Sequence, residues 1–250
     1  MQVEAARPAL RVPGEASITT SAEAYRRTFR SPDDLSIQYY GVQPPPAVEP
    51  EQAYALVLSL HGVGVEGIGQ ARAYSPKDWA YLIAPTNRRP FGFDWEEWGH
   101  QNGLAALADA TAAFHVDPTR MYVTGHSMGP RDVAVRGARR RPLRRWRASL
   151  RWVGRSTPTP AAPGLPGRSP APALTPDTGN YIENPVDKAV YIIHGSADDN
   201  VPVREGRDMR DAVSQVSDDV HYHEQEGAGT GGTATPRPAP TAWTGRRSSS

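Results

Sequence analysis

Ser127 stands between glycines in Gly125-His126-Ser127-Met128-Gly129, directly after the apolar run Met121-Tyr122-Val123-Thr124. Gly-x-Ser-x-Gly at the end of a strand is the pattern of a nucleophile elbow. A tight turn holds the serine in a strained conformation with its hydroxyl exposed, and bulkier flanking side chains would clash there. The chemistry such a serine performs is nucleophilic acyl transfer. Taken alone the pattern also occurs in ordinary loops, so the neighbouring segments have to decide.

Upstream, Tyr54-Ala55-Leu56-Val57-Leu58-Ser59-Leu60 is a short apolar run without a breaker, as expected of a strand buried on both faces of a parallel sheet. It ends in His61-Gly62-Val63-Gly64. Backbone amides after such a strand can form one half of an oxyanion hole, and the amide of Met128, which follows the serine, can form the other. The plain alternative is a glycine-rich turn. Downstream, Ala189-Val190-Tyr191-Ile192-Ile193 reads as another buried strand. It leads into His194-Gly195-Ser196-Ala197-Asp198-Asp199-Asn200-Val201-Pro202. An acidic residue on that loop fits the third member of a triad in the order Ser, Asp, His; a solvated Asp-Asp turn is the alternative.

Together these segments resemble the α/β-hydrolase fold and, more narrowly, the catalytic domain of prolyl-oligopeptidase-type serine hydrolases. His-Gly-x-Ala-Asp-Asp-Asn-Val looks like the acid loop of the dipeptidyl-peptidase branch, whose first aspartate is catalytic. That implies Asp198 here. The resemblance covers residues 35 to 129 and 178 to 229, and implies a mostly parallel central sheet with helices on both faces. It also implies a catalytic histidine about thirty residues after the acid, following Val220-His221-Tyr222-His223 and a Gly-Ala-Gly loop. Thr230 occupies that position.

Two stretches break the pattern. Arg131 to Arg155 carries ten arginines in 25 residues, and Ser156 to Pro176 carries seven prolines in 21. A basic arm for nucleic acid followed by a proline-rich linker is one reading. However, the helix that must follow an elbow is opposed by proline and clustered like charge. Arg, Pro, Ala and Gly are also what GC-rich DNA encodes out of frame. The codons of Gly129 to Ala134, read one base later, are compatible with Gly-His-Gly-Thr-Trp, a sequence that relatives of the resembling family often show after the elbow. One restored base before the codon of Thr230 permits His-Trp-Trp. Residues 130–176 and 230–250 are therefore expected to be out-of-frame translation, disordered as written.

For the intact parent the resemblance implies a two-step acyl transfer. Ser127 attacks a carbonyl, the missing histidine takes its proton, and Asp198 orients that imidazole. The amides of Met128 and Val63 hold the oxyanion. No cofactor or metal is called for, and the partner is a small ester or short peptide. Peptidases of this family carry an amino-terminal propeller for which the 250 residues leave no room. That shifts the expectation toward a stand-alone esterase or small peptidase. A non-catalytic binding protein of the same fold is the alternative.

Composition fits one α/β domain: 38% hydrophobic residues in 250 suffice for a substantial core. The formal net charge of +1 favours neither a nucleic-acid nor a membrane partner. The absence of cysteine excludes disulfides, thiolate metal sites and a thiol nucleophile. Residues 1–20 lack an apolar core of signal-peptide length, so a cytoplasmic location is expected. Nothing in the pattern signals an oligomeric state.

Among the elements, residues 1–30 read as a polar lead-in before a single domain over 31–250. Leu35 to Val42 reads as an edge strand ended by Pro44-Pro45-Pro46, and Trp79 to Pro85 as a central strand. Phe91, Phe93, Trp95 and Trp98 form an aromatic loop that either packs over the sheet or lines a pocket, packing being favoured. Leu104, Leu107, Ala108, Thr111 and Phe114 fall on one helical face, and Asp117-Pro118 turns the chain into the elbow strand. His61 and His126 read as positional, and His221 and His223 as packing residues of a strand.

Overall fold

The computed structural model describes residues 23–88, 95, 98–127, 129, 146–150 and 189–229. Its centre is β3 (Tyr54–Leu60), in which all but Val57 are buried, as the unbroken apolar run requires. Around it lie β1 (Tyr25–Arg30), β2 (Ile37–Gln43), β4 (Ala80–Pro85), β5 (Val116–Gly125), β6 (Trp146–Leu150), β7 (Ala189–Gly195) and β8 (Val220–Gln225). They form one sheet in the order β1-β2-β4-β3-β5-β6-β7-β8. The pairs β1–β2 and β2–β4 are antiparallel, and every pair from β4–β3 to β7–β8 is parallel.

Helices flank the sheet: α1 (Gly67–Arg72), α2 (Trp98–Ala113) and α3 (Val203–Val213). Because strand side chains alternate between faces, β3 sorts its neighbours. Leu56, Leu58 and Leu60 join Ala106, Leu107 and Ala110 of α2 in the main core. Val57 instead packs with Ala71 of α1, Leu82 and Ala84, and Ser59 receives a hydrogen bond from Gln70 Nε2 of α1 at 2.9 Å. The expected helices on both faces are thus present. Helix α1 sits almost backbone on backbone: a Cβ on Gly67 would lie 2.3 Å from the Ala84 carbonyl oxygen. A smaller core joins Val190 and Ile192 of β7 to Met209 and Val213 of α3.

Several local expectations are corrected. Tyr25–Arg30, placed in the lead-in, is a strand, so the Leu35 to Val42 segment is not an edge: its strand β2 lies between β1 and β4. The buried face of α2 is Gly99, Asn102, Gly103, Ala106, Leu107 and Ala110, whereas Ala108 and Thr111 are exposed. Small residues let this helix approach the sheet, and a count of large apolar positions overlooks them. Asp117-Pro118 lies within β5, where the β3 register shifts between Tyr54↔Val116 and Leu56↔Met121; the Asp117 carboxylate takes the Thr119 N–H at 2.8 Å, so the turn survives as an irregularity in the strand. Strand β6 falls inside the arginine-rich stretch, for which disorder was expected. In β7, burial alternates, with Tyr191 and Ile193 only half-buried.

A polar latch ties the sheet edge to α2. The buried Tyr40 hydroxyl donates to Asp109 Oδ2 at 2.7 Å, and Arg27 Nε on β1 donates to the same oxygen at 2.9 Å. Burial, and then the Asp109 acceptor, push the Tyr40 phenol well above the usual tyrosine range; burial pushes Tyr81 up to about 12. The folded chain favours the neutral phenol at both positions, so the stability they supply is complete below the unfolded value of about 10 and is lost as pH rises beyond it. Urea unfolding midpoints should fall between about pH 10 and 12. Tyr40→Phe should reduce that fall without abolishing it, since Tyr81 still contributes; an identical pH slope in the variant would contradict the assignment.

Candidate active site

The carboxyl ends of β3, β5, β6, β7 and β8 lie along one edge of the sheet, where open α/β folds bind ligands. Ser127 stands there, two residues past the end of β5. Its φ is +58°, the left-handed region that costs a non-glycine residue about 1–2 kcal/mol. Such a cost persists only where the surroundings enforce it. Here the His126 N–H donates to the Leu60 carbonyl at 3.1 Å, carrying the β3–β5 pairing past the strand, and the Gly129 N–H closes the turn on the His126 carbonyl at 3.1 Å. A Cβ at position 129 would meet the Leu60 oxygen at 2.1 Å, and one at position 62 would meet the Ser127 Cβ at 2.9 Å. Two glycines thus let the turn fold back on β3 and bring Gly62 against the serine. Val63, next along, is exposed, and its amide makes no hydrogen bond among the described residues. Met128 lies outside the described residues.

His61 is fully buried, its ring edge-on to Trp95 with centroids 4.9 Å apart. Burial lowers its pKa against the opposing pull of the Gly62 and Thr86 carbonyls. The Trp95 indole donates to the His61 carbonyl at 3.1 Å. Trp95 is itself fully buried, with φ +58°, so it packs, as favoured. Trp98 opens α2 rather than standing in a loop; it is half-exposed, with Arg88 4.5 Å over its ring. Phe91 and Phe93 lie outside the described residues.

Asp198 follows β7. Its Oδ1 accepts the N–H of Asn200 at 3.0 Å and of Val201 at 2.9 Å. Its Oδ2 lies 3.7 Å from Nε2 of His194, and both side chains are almost wholly buried. Asp199 is exposed. The environment therefore separates the two aspartates and singles out the first. His194, given no role by the sequence reading, also donates from Nε2 to the Val201 carbonyl at 3.0 Å, which packs it against the acid loop. The only signal for it was its place in the His-Gly step after a strand, the step that also holds His61.

The exit of β8 is clamped to this loop. The Ala197 N–H donates to the Ala228 carbonyl at 3.0 Å, the Gly227 N–H donates to Ser196 Oγ at 2.9 Å, and a Cβ on Gly195 would lie 2.1 Å from the Ala228 oxygen. The chain thus reaches Gly229 beside the acid loop; Thr230 lies outside the described residues. Strands β5 and β7 are separated by β6 alone, so their ends stand roughly 10 Å apart, a gap that an imidazole between a serine and a carboxylate can bridge. His221 and His223 are exposed rather than packed, because the half-buried Tyr222 takes the core side of β8. No group of residues able to hold a metal ion occurs among the described residues, and no helix among them is long and apolar enough to cross a membrane.

No protein-family model and no curated protein sequence matches the chain. Solved structures do. A thermostable esterase superposes with TM-score 0.59 at 19% identity over 82% of this chain and 55% of its own. An acylaminoacyl peptidase of Pyrococcus horikoshii gives 0.63 at 10% over 84% and 38%. A fluorophosphonate-binding serine hydrolase of Staphylococcus aureus gives 0.58 at 12% over 82% and 91%. Strand order and these likenesses define a protein of the α/β-hydrolase fold. Esterases and peptidases both stand among its structural neighbours, and the chain spans little more than half of the esterase and under two-fifths of the peptidase.

The acid loop offers a direct check. Asp198→Ala removes the acceptor of two backbone N–H groups and should destabilise the chain by about 1–2 kcal/mol in urea unfolding. Asp198→Asn keeps an amide oxygen in that place and should cost less. Equal costs would mean that the two bonds do not hold the loop.

Proposed function

We propose that the chain derives from a serine hydrolase that cleaves an ester or a peptide bond through an acyl-enzyme, with Ser127 as nucleophile and Asp198 as the acid of the triad. The observation that carries the reading is the enforced left-handed backbone of Ser127 at the carboxyl end of β5, with Gly62 against it. The amides of Val63 and Met128 are assigned to the oxyanion, each such donor contributing about 3 to 4 kcal/mol in comparable sites. The neighbours include both esterases and peptidases, which supports acyl chemistry on carbonyl substrates.

The base is the missing part. Thr230 has no group able to take a proton from Ser127, and without the base turnover falls by several orders of magnitude, leaving roughly 10³ to 10⁴ over water from the oxyanion hole and binding. A purified chain should therefore hydrolyse a p-nitrophenyl ester only at this residual rate, and Ser127→Ala should leave that rate nearly unchanged, since it comes from the oxyanion hole and binding. Rapid Ser127-dependent turnover and strong fluorophosphonate labelling would instead show that a base is in place. The second reading, a non-catalytic binding protein of this fold, is favoured by the same Thr230 and predicts no hydrolysis above the uncatalysed rate.

The out-of-frame reading of 130–176 and 230–250 accounts for the missing base. Sequencing of the gene across codons 126–132 and 226–234 should reveal the bases that restore Gly-His-Gly-Thr-Trp and His-Trp-Trp. An unbroken frame with ordinary coding bias through both stretches would overturn it.

A further inference from the structure

We infer that His61 is a positioning residue for the oxyanion donor: by holding the Gly62 carbonyl, its ring turns the Val63 N–H toward the space in front of Ser127. The inference rests on the assignment of Val63 in the proposed function. In a trans peptide the C=O and N–H point to opposite sides, and the Gly62 carbonyl and the Val63 N–H belong to one peptide unit. That carbonyl receives His61 Nδ1 at 2.9 Å and the Val65 N–H at 3.3 Å. A carbonyl can only accept, so the proton of the imidazole is assigned to Nδ1. The peptide before it is fixed in the same manner, through the bond from the Trp95 indole to the His61 carbonyl. With both carbonyls tied down, the backbone around Gly62 is held in place, and the side on which a Cβ would stand lies directly against the Ser127 Cβ.

A purely packing role is the competing explanation, since the fully buried ring also rests on Trp95. A leucine fills such a space without holding a carbonyl. An asparagine places its amide N–H near the Nδ1 position, and a glutamine near Nε2. With the base missing, the residual rate rests on the oxyanion donors, so they are exposed to measurement in the chain as it exists. In His61→Leu, the kcat of the residual p-nitrophenyl acetate hydrolysis should fall about 10²-fold with KM unchanged, the effect of losing one donor used only in the transition state. The Kd for phenylboronate, a tetrahedral anion mimic, should rise by a similar factor once corrected for the folded fraction measured by circular dichroism. His61→Asn should recover most of both, and His61→Gln should not. Should leucine unfold the chain, the asparagine and glutamine pair carries the test. Wild-type kcat and boronate affinity in His61→Leu or His61→Gln, or an asparagine variant as impaired as glutamine, would overturn the inference while leaving the functional reading in place. A wild-type chain with neither hydrolysis above the uncatalysed rate nor boronate binding would remove both.

Discussion

The site depends on how closely the turn after β5 approaches the end of β3. Parallel pairing of the two strands delivers the His126 N–H to the Leu60 carbonyl, and the same carbonyl leaves no room for a side chain at Gly129. The chain has to reverse within this space, and the reversal puts Ser127 into a conformation that serine does not otherwise favour. Gly62 completes the arrangement from the β3 side. The surrounding sheet, with the almost wholly buried β3 beside the wholly buried β4, acts as the rigid frame that makes this strain sustainable.

What could be read from the sequence follows from how each element is stabilised. β3 was legible because it is covered on both faces, so its residues are apolar without alternation. The serine and aspartate motifs were legible because their glycines and turn residues are dictated by backbone geometry. β1 was not, since Arg26, Arg27 and Arg30 give it the composition of a polar lead-in while Phe29 alone is buried. The face of α2 was misassigned because its contacts run through Gly103, Ala106 and Ala110, where closeness of backbones replaces side-chain volume. β6 was hidden by arginine and proline, which carry no period.

The two halves of the candidate triad are held in different ways. Ser127 is fixed by backbone crowding, which tolerates changes elsewhere along the chain. Asp198 is fixed by hydrogen bonds within its own loop and by the buried His194. Among the described residues, the contacts that place the serine come from β3 and its own turn, and those that place the acid come from its own loop and from His194.

The arginines of β1 bear on more than strand recognition. This strand is one margin of the sheet, with a row of backbone groups that no further strand covers among the described residues. Arg27 is drawn down into the latch with Asp109, whereas Arg26 and Arg30 stay exposed. Positive side chains along an open margin repel a second copy approaching strand to strand, so this border is guarded against edge-to-edge aggregation by the same residues that disguise it as coil.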